Sequence, residues 1–328
     1  MLRENWKQIK STLNNDQSYK TYLVLLFDIL MLVLSWKLSF YSSLAVLLSQ
    51  LLLCLSLIHF YLIMHEASHS AISNYKIINE FIGHVCGWLV LMPYLPRKQS
   101  HLLHHTWTGH PVRDPANKRM IEKFSVMTKK QEQKLEFIWR NWIPVIVLND
   151  RIGLWRNPVQ ITSIGESKAK FRQEVIFNYI YAFFYIGLFT FLIKESHFLH
   201  FINWFVPSFF CLALLEELVN LPHHAETPLL HPEDKALPYW NQGSVTHSCK
   251  TVPFWSKYIL LNFNLHTAHH FFPNIAWYHL PKIHQKIEAL CPEDLSERKL
   301  QNEIDWSLKN RKRSLLSIMG HYFNKITN

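Results

Sequence analysis

The residues richest in chemistry are the histidines, and their spacing is not random. Ten of the 20 fall in four short clusters: HEASH (His65, His69), HLLHH (His101, His104, His105), NLPHH (Asn220, His223, His224) and HTAHH (His266, His269, His270). The i, i+3, i+4 spacing of HLLHH and HTAHH puts three imidazoles on one helical face, and the i, i+4 pair of HEASH does the same for two. In NLPHH, His224 lies four residues after Asn220, whereas His223 points elsewhere. Neutral imidazole is the commonest metal ligand. Nine or ten imidazoles exceed the three or four protein ligands that a tetrahedral zinc takes, but two metals with four or five nitrogens each would use them. Imidazole suits Zn, Cu, Fe and Ni alike, so ligand type does not select the metal. In a lipid setting, activating an inert C–H bond requires a redox metal and dioxygen, which favours iron.

Each cluster also has a plainer reading. HEASH fits the HExxH helix of zinc proteases, with Glu66 as general base, and would suit an intramembrane metalloprotease; eight clustered histidines then go unexplained. HLLHH or HTAHH alone fits an ordinary helix, and it is their repetition that calls for a common cause. His59, His84, His110, His197, His200, His231, His247, His279, His284 and His321 stand singly and are expected to be structural. Glu66, Asp114, Glu216 and Glu217 are candidates to orient imidazole N–H groups, with a plain structural role equally open to each.

The elements that must position these residues read as membrane helices. Of the 328 residues, 49% are hydrophobic and 14% aromatic, and only 18% are charged, against roughly 25% in soluble proteins. Apolar runs cover Thr21 to about Phe40, Leu44–Met64, Val175–Ile193 and Phe198–Asn220, each near the length needed for a ~30 Å hydrocarbon core. The second begins after a turn from Trp36 to Ser43. The 81–95 stretch is too short to span and reads as re-entrant or interfacial, ended by Pro93 and Pro96. Glu136–Leu148 reads as an interfacial segment. An Asn14-Asn15-Asp16 turn precedes the first span, and the Lys309–Arg313 run reads as a solvated face. The five cysteines are dispersed, so neither a disulfide framework nor a zinc ribbon is indicated, and no cleavable signal peptide is evident.

The expected fold is all-α and integral to the membrane: four transmembrane helices in two hairpins, with a helical domain outside the bilayer. The corresponding boundaries are 1–20, a first hairpin at 21–64, a region at 65–174 with two clusters and the interfacial helix, a second hairpin at 175–220, and 221–328. If both hairpins share one orientation, the outer turns hold only Lys37 and Lys194 of the 34 basic residues. The other side is then cytoplasmic by the positive-inside rule, and all four histidine clusters fall on it. The net charge of +10 fits that face and anionic lipid. A nucleic-acid partner would need a basic patch with a reading module, and neither is recognisable.

With these residues in view, the chain resembles the membrane fatty acid desaturases, whose boxes read HxxxH or HxxxxH, HxxHH and HxxHH; the likeness covers about residues 21–290. HTAHHFFPNIAWYHLPKIH is similar to the third box of acyl-lipid desaturases, bacterial ones in particular, and HTWTGHPVRDP to the usual continuation of the second. The resemblance implies a di-iron enzyme at the cytoplasmic face, of the bacterial inner membrane, that uses O2 to place a double bond in an acyl chain of a lipid or thioester. It implies iron ligation by His65, His69, His101, His104, His105, His224, His266, His269 and His270, with Asn220 holding an iron through water and His223 in an open role. It also implies two electrons from a separate ferredoxin or cytochrome b5, since no HPGG-type cytochrome b5 segment is evident. Carotenoid ketolases, carotenoid hydroxylases and lipid hydroxylases share the boxes and are the neighbouring alternatives.

Overall fold

The computed structural model describes residues 3–13, 19–156, 168–249, 254–291, 299–300 and 302–319. The Asn14-Asn15-Asp16 turn and His321 lie outside them. The described chain is all-α apart from a two-residue parallel pairing, Ser248–Cys249 with Lys299–Leu300. The α-helices are α1 (Arg3–Ser11), α2 (Lys20–Leu38), α3 (Ser43–Ser68), α4 (Lys76–Leu89), α5 (Tyr94–Trp107), α6 (Pro115–Ser125), α7 (Lys129–Arg140), α8 (Val145–Arg156), α9 (Lys168–Lys194), α10 (Phe198–His224), α11 (Ser256–Ile259), α12 (His266–Phe271), α13 (Leu280–Leu290), α14 (Glu303–Asn310) and α15 (Leu315–Met319). They form two units. One comprises residues 18–99 and 146–216, the other residues 1–17, 100–145 and 217–328.

Among the described residues, α2, α3, Arg172–Lys194 of α9 and α10 are long and apolar enough to cross a membrane. The chain is an integral membrane protein. In the first unit, α2 buries its polar residues and exposes its apolar ones, the reverse of a helix in a soluble protein, whereas α3 also buries apolar side chains such as Leu53, Leu57 and Phe60. The buried residues of α2 are Thr21, Asp28 and Ser35, spaced by sevens, while Leu23, Leu26, Phe27, Leu30 and Val33 are exposed. Small polar side chains let two helices approach closely where lipid tails supply no hydrophobic drive between them. Ser35 and Ser49 each donate to the other's carbonyl at 2.7 Å, and His59 Nδ1 pairs with Asp28 Oδ1 at 2.9 Å. The lone histidine His59 and the odd carboxylate of the first span thus satisfy each other, as an ionisable group in a span requires.

α3 extends past the expected end of its span and carries His65 in its last turn. It stops at His69 because Ser70 adopts a left-handed φ of 56°. The Ala71 N–H then bonds Glu66 O and the Ser70 N–H bonds Ala67 O, which satisfies the terminal carbonyls. α4, at 14 residues, is too short to span. Pro93 lies in the break after it, but Pro96 sits in the first turn of α5, where a missing N–H costs nothing; it opens a helix rather than closing one. The 136–148 segment is likewise divided, between α7 and α8, with Trp142 at φ 60° in the break. Trp139 of that stretch is buried.

The core of the second unit lies around the third box. Leu265, Ala268, Phe271 and Phe272 pack with Ile9 of α1 and with Leu280, Ile283 and Ile287 of α13. The α13 residues recur at i, i+3 and i+7, one helical stripe. Trp6, Leu13 and Ile275 close the cluster.

Candidate metal centre

The second unit gathers box histidines from α5, α10 and α12. His104, His224 and His270 each offer a ring nitrogen within 4.8 Å of the others, and so do His101, His105 and His269. His105 Nε2 lies 3.1 Å from both His101 Nε2 and His269 Nε2. His266 Nε2 lies 2.8 Å from His224 Nε2 and 3.1 Å from His270 Nε2. In the first unit, His65 and His69 are buried with ring centroids 5.0 Å apart. Asn220 lies one turn before His224 on α10.

The tautomers of two rings follow from their partners. Gln242 is buried and donates its amide N–H to His105 O at 2.6 Å. Its oxygen therefore faces His270, whose Nδ1 donates to it at 2.8 Å. His104 Nδ1 donates in the same way to Asp114 Oδ2 at 2.9 Å. In both rings Nε2 is left as a lone pair pointing away from the support. Lone pairs turned toward one another repel unless a cation lies between them, so this donor set fits metal ions. It also reproduces the usual arrangement in which a ligating histidine is fixed through its other nitrogen.

Local sequence explains how each support arrives. Asp114 caps α6, its Oδ1 accepting from Ala116 N at 3.0 Å, so Oδ2 is held toward α5. The return turn needs Gly109, at φ 80°, where a Cβ would lie 2.8 Å from Val245 Cγ1. Gln242 belongs to a 3₁₀ turn, Tyr239–Val245, and the hydroxyl of Thr246, the next residue, donates to the Thr267 hydroxyl of α12 at 3.3 Å. The start of α12 is tied to the Ser248–Cys249 pairing by Thr267 N donating to Ser248 Oγ at 2.9 Å.

Burial pushes His269 down to about 3, with the charge of His104 adding to it. His266 and His270 are held well below the usual imidazole range, first by burial and then by neighbouring rings. All three are neutral at pH 7, the form that binds metal. A third buried group joins His223, Cys249 and Glu303. His223 stacks on His266 at 4.7 Å and pairs through Nε2 with Glu303 Oε1 at 3.2 Å. Burial works against the Glu303 carboxylate, yet the hydrogen bond and charge of His223 and the Cys249 thiol hold it below its usual range.

Of the four carboxylates singled out in the sequence, Asp114 supports a box histidine. Glu66 approaches His65 Nδ1 only to 3.8 Å. Glu216 is engaged by Arg151. Glu217 is engaged by Arg311 at 2.5 Å, and that guanidinium stacks 3.7 Å over the ring of Trp139. Gln242 and Glu303 escape sequence reading. Neither belongs to a periodic pattern or a motif, and chain folding alone brings them to the histidines.

Comparison with known proteins now decides the family. The family model described as fatty acid desaturase matches residues 41–300. The chain belongs to the fatty acid desaturase family. It is 25% identical over 249 residues to the Delta(12) fatty acid desaturase fat-2 of Caenorhabditis elegans, covering 69% of this chain and 62% of that protein. To the sn-1 acyl-lipid omega-3 desaturase (ferredoxin) of Nostoc sp. it is 23% identical over 241 residues, covering 71% and 64%. To the omega-3 fatty acid desaturase fat-1 of C. elegans it is 28% identical over 254 residues, covering 72% and 59%. The chain thus spans about three fifths of the length of these relatives. Family membership fits the metal-ready histidine groups and the membrane helices described above.

Proposed function

We propose that this chain is a membrane-bound, O2-dependent di-iron desaturase that places a double bond in the acyl chain of a membrane lipid. The observation that carries the reading is the presence of two separate groups of box histidines, His101–His105–His269 and His104–His224–His270. A single metal site would need only one. The proposed iron ligands are these six with His65, His69 and His266, and Asn220 contributes through water. His223 takes a supporting place, its Nε2 committed to Glu303. Iron supplies the oxidising chemistry when bound. The chain's own residues hold the imidazoles neutral, fix their tautomers through Asp114 and Gln242, and keep the site dry, which strengthens every polar interaction inside it.

The reaction removes two hydrogens from adjacent methylenes. With one O2, two electrons and two protons it yields the alkene and two waters. The Nostoc relative carries ferredoxin in its name and acts on acyl-lipids by that name, which supports an acyl-lipid substrate and a ferredoxin-type donor here. The charge asymmetry of the loops supports a cytoplasmic face for the site. The test is the fatty acid profile of a host expressing the chain beside a His269→Ala control. A new unsaturated acid absent from the control is expected; an unchanged profile with iron-loaded protein present overturns the reading.

A further inference from the structure

The N-terminal helix joins the protein surface to the third histidine box. Trp6 Nε1 donates to Phe271 O at 2.9 Å, and Phe271 is the peptide neighbour of His270. The Trp6 ring stacks on Phe272 at 5.5 Å between centroids and nearly parallel, and meets Trp240 at 5.7 Å. Ile9 is buried in the box core, with Trp6 and Leu13 packed against it. The adjoining face of α1 presents Arg3, Lys7 and Lys10 to solvent at i, i+4 and i+7, a single stripe. Arg3 lies 5.4 Å over Trp240 and Lys10 lies 4.7 Å over Trp6. α13 packs beside α1 and adds Lys282 and Lys286, the latter reaching the Thr12 hydroxyl. The two helices together carry five cations against Glu4 and Glu288.

From this geometry we infer that the face formed by α1 and α13 is the docking site for the electron donor, a small acidic iron–sulfur protein, and that Trp6 is the point of electron entry. The inference rests on the ferredoxin-type donor proposed above. Charge complementarity steers such encounters and sets their salt dependence, and Trp6 lies under Lys10 on one side and against Phe272 of the box on the other. A membrane-surface role for α1 would require its apolar stripe to enter lipid. That stripe is already used by the box core. Each docked donor gives up one electron and leaves oxidised; two successive encounters supply the pair consumed per double bond.

The experiment titrates the iron-loaded, full-length protein in neutral phosphatidylcholine nanodiscs with a plant-type [2Fe–2S] ferredoxin, at low and high salt. The wild type is expected to bind with an affinity that falls as salt rises. Arg3→Glu/Lys7→Glu/Lys10→Glu is expected to bind at least about tenfold more weakly at low salt, with a flatter salt dependence and unchanged iron content. Trp6→Phe keeps the ring stack but not the N–H. It is expected to hold affinity within about twofold while slowing oxidation of pre-reduced ferredoxin several-fold. Charge-insensitive binding, or no binding by the wild type, overturns the docking site. So does a triple variant whose only loss is retention on phosphatidylglycerol-containing vesicles. A host that makes no new unsaturated acid while ferredoxin binding behaves as expected sinks the functional reading and leaves the docking face standing. A new acid with charge-insensitive binding does the reverse.

Discussion

HLLHH and HTAHH have the same spacing and the same ligand chemistry, yet the protein supports them by opposite means. HLLHH sits in α5, a 14-residue helix, and its outward ring is held by a carboxylate only ten residues on, Asp114. HTAHH sits in α12, six residues long. A helix that short has almost no stability of its own, so its position is imposed from outside. α1 and α13 pack its apolar side, Ser248 fixes its first turn, and the neutral amide of Gln242 fixes His270. One box is built by local sequence and backed by charge. The other is built by long-range packing and backed by a dipole. Identical spacing therefore says where ligands lie, but not how strongly their Nε2 lone pairs are pushed toward a metal.

The bluntest way to break this comparison is to remove one ligand from each box. His104→Ala and His270→Ala each delete a ring nitrogen from the same three-histidine group. Both should abolish activity and cost the same iron equivalent, read by metal analysis of the purified protein. Loss of different irons, or of none, would mean that these rings do not share a metal.

Next come the supports. Outer partners of ligating histidines typically carry about 10–100-fold in metal affinity or activity. Asp114→Asn can still cap α6, since Asn and Asp cap equally well, but it withdraws the charge behind His104. A loss near the upper end of that range is expected. Gln242→Leu leaves the His270 Nδ1–H and His105 O without their buried partner, and a loss near the lower end is expected, about tenfold. Gln242→Glu makes the two boxes alike. It should retain iron and shift the ligand-field absorption in the direction opposite to Asp114→Asn. A Gln242→Glu spectrum identical to wild type would refute the contrast between charge and dipole.

How much of this could be seen in the residues alone follows the same division. The four spans come from hydropathy, and the boxes from a 3.6-residue period, both properties of consecutive residues. The Asp28–His59 pair was half visible, as a carboxylate in one span and a histidine in the next. Asp114 could be named because it follows its box closely and opens a helix. Gln242 and Glu303 could not, because they reach their histidines from 28 residues upstream of His270 and 80 residues downstream of His223. Glu216 and Glu217 misled for a related reason: a carboxylate near a box is also near arginines, and only the fold shows that Arg151 and Arg311 engage them. Pro96 in the sequence alone fits a helix end as well as a helix start, because proline marks both; its place in the first turn of α5 is settled by the left-handed Leu91, φ 54°, which closes α4 before it.

The smallest expected effect concerns protons. In the metal-free protein, burial keeps His269 near 3 and His266 and His270 well below the usual imidazole range, whereas the unfolded chain titrates them near 6.5. Above about pH 6.5 both states are neutral and these rings leave stability independent of pH. Below it the unfolded chain takes up protons that the folded chain refuses, so stability falls progressively as pH drops toward 3. From pH 7 to pH 6 the loss is about 0.7 kcal/mol for each fully shifted ring. Denaturant unfolding of the metal-free protein across pH 7 to 5 reads it directly. His269→Asn removes one of the three refusing rings and should flatten the dependence by about one ring's share. An unchanged slope would mean that the buried rings of HTAHH are reached by water and protons before the protein unfolds, and that α12 is held less firmly than its packing implies.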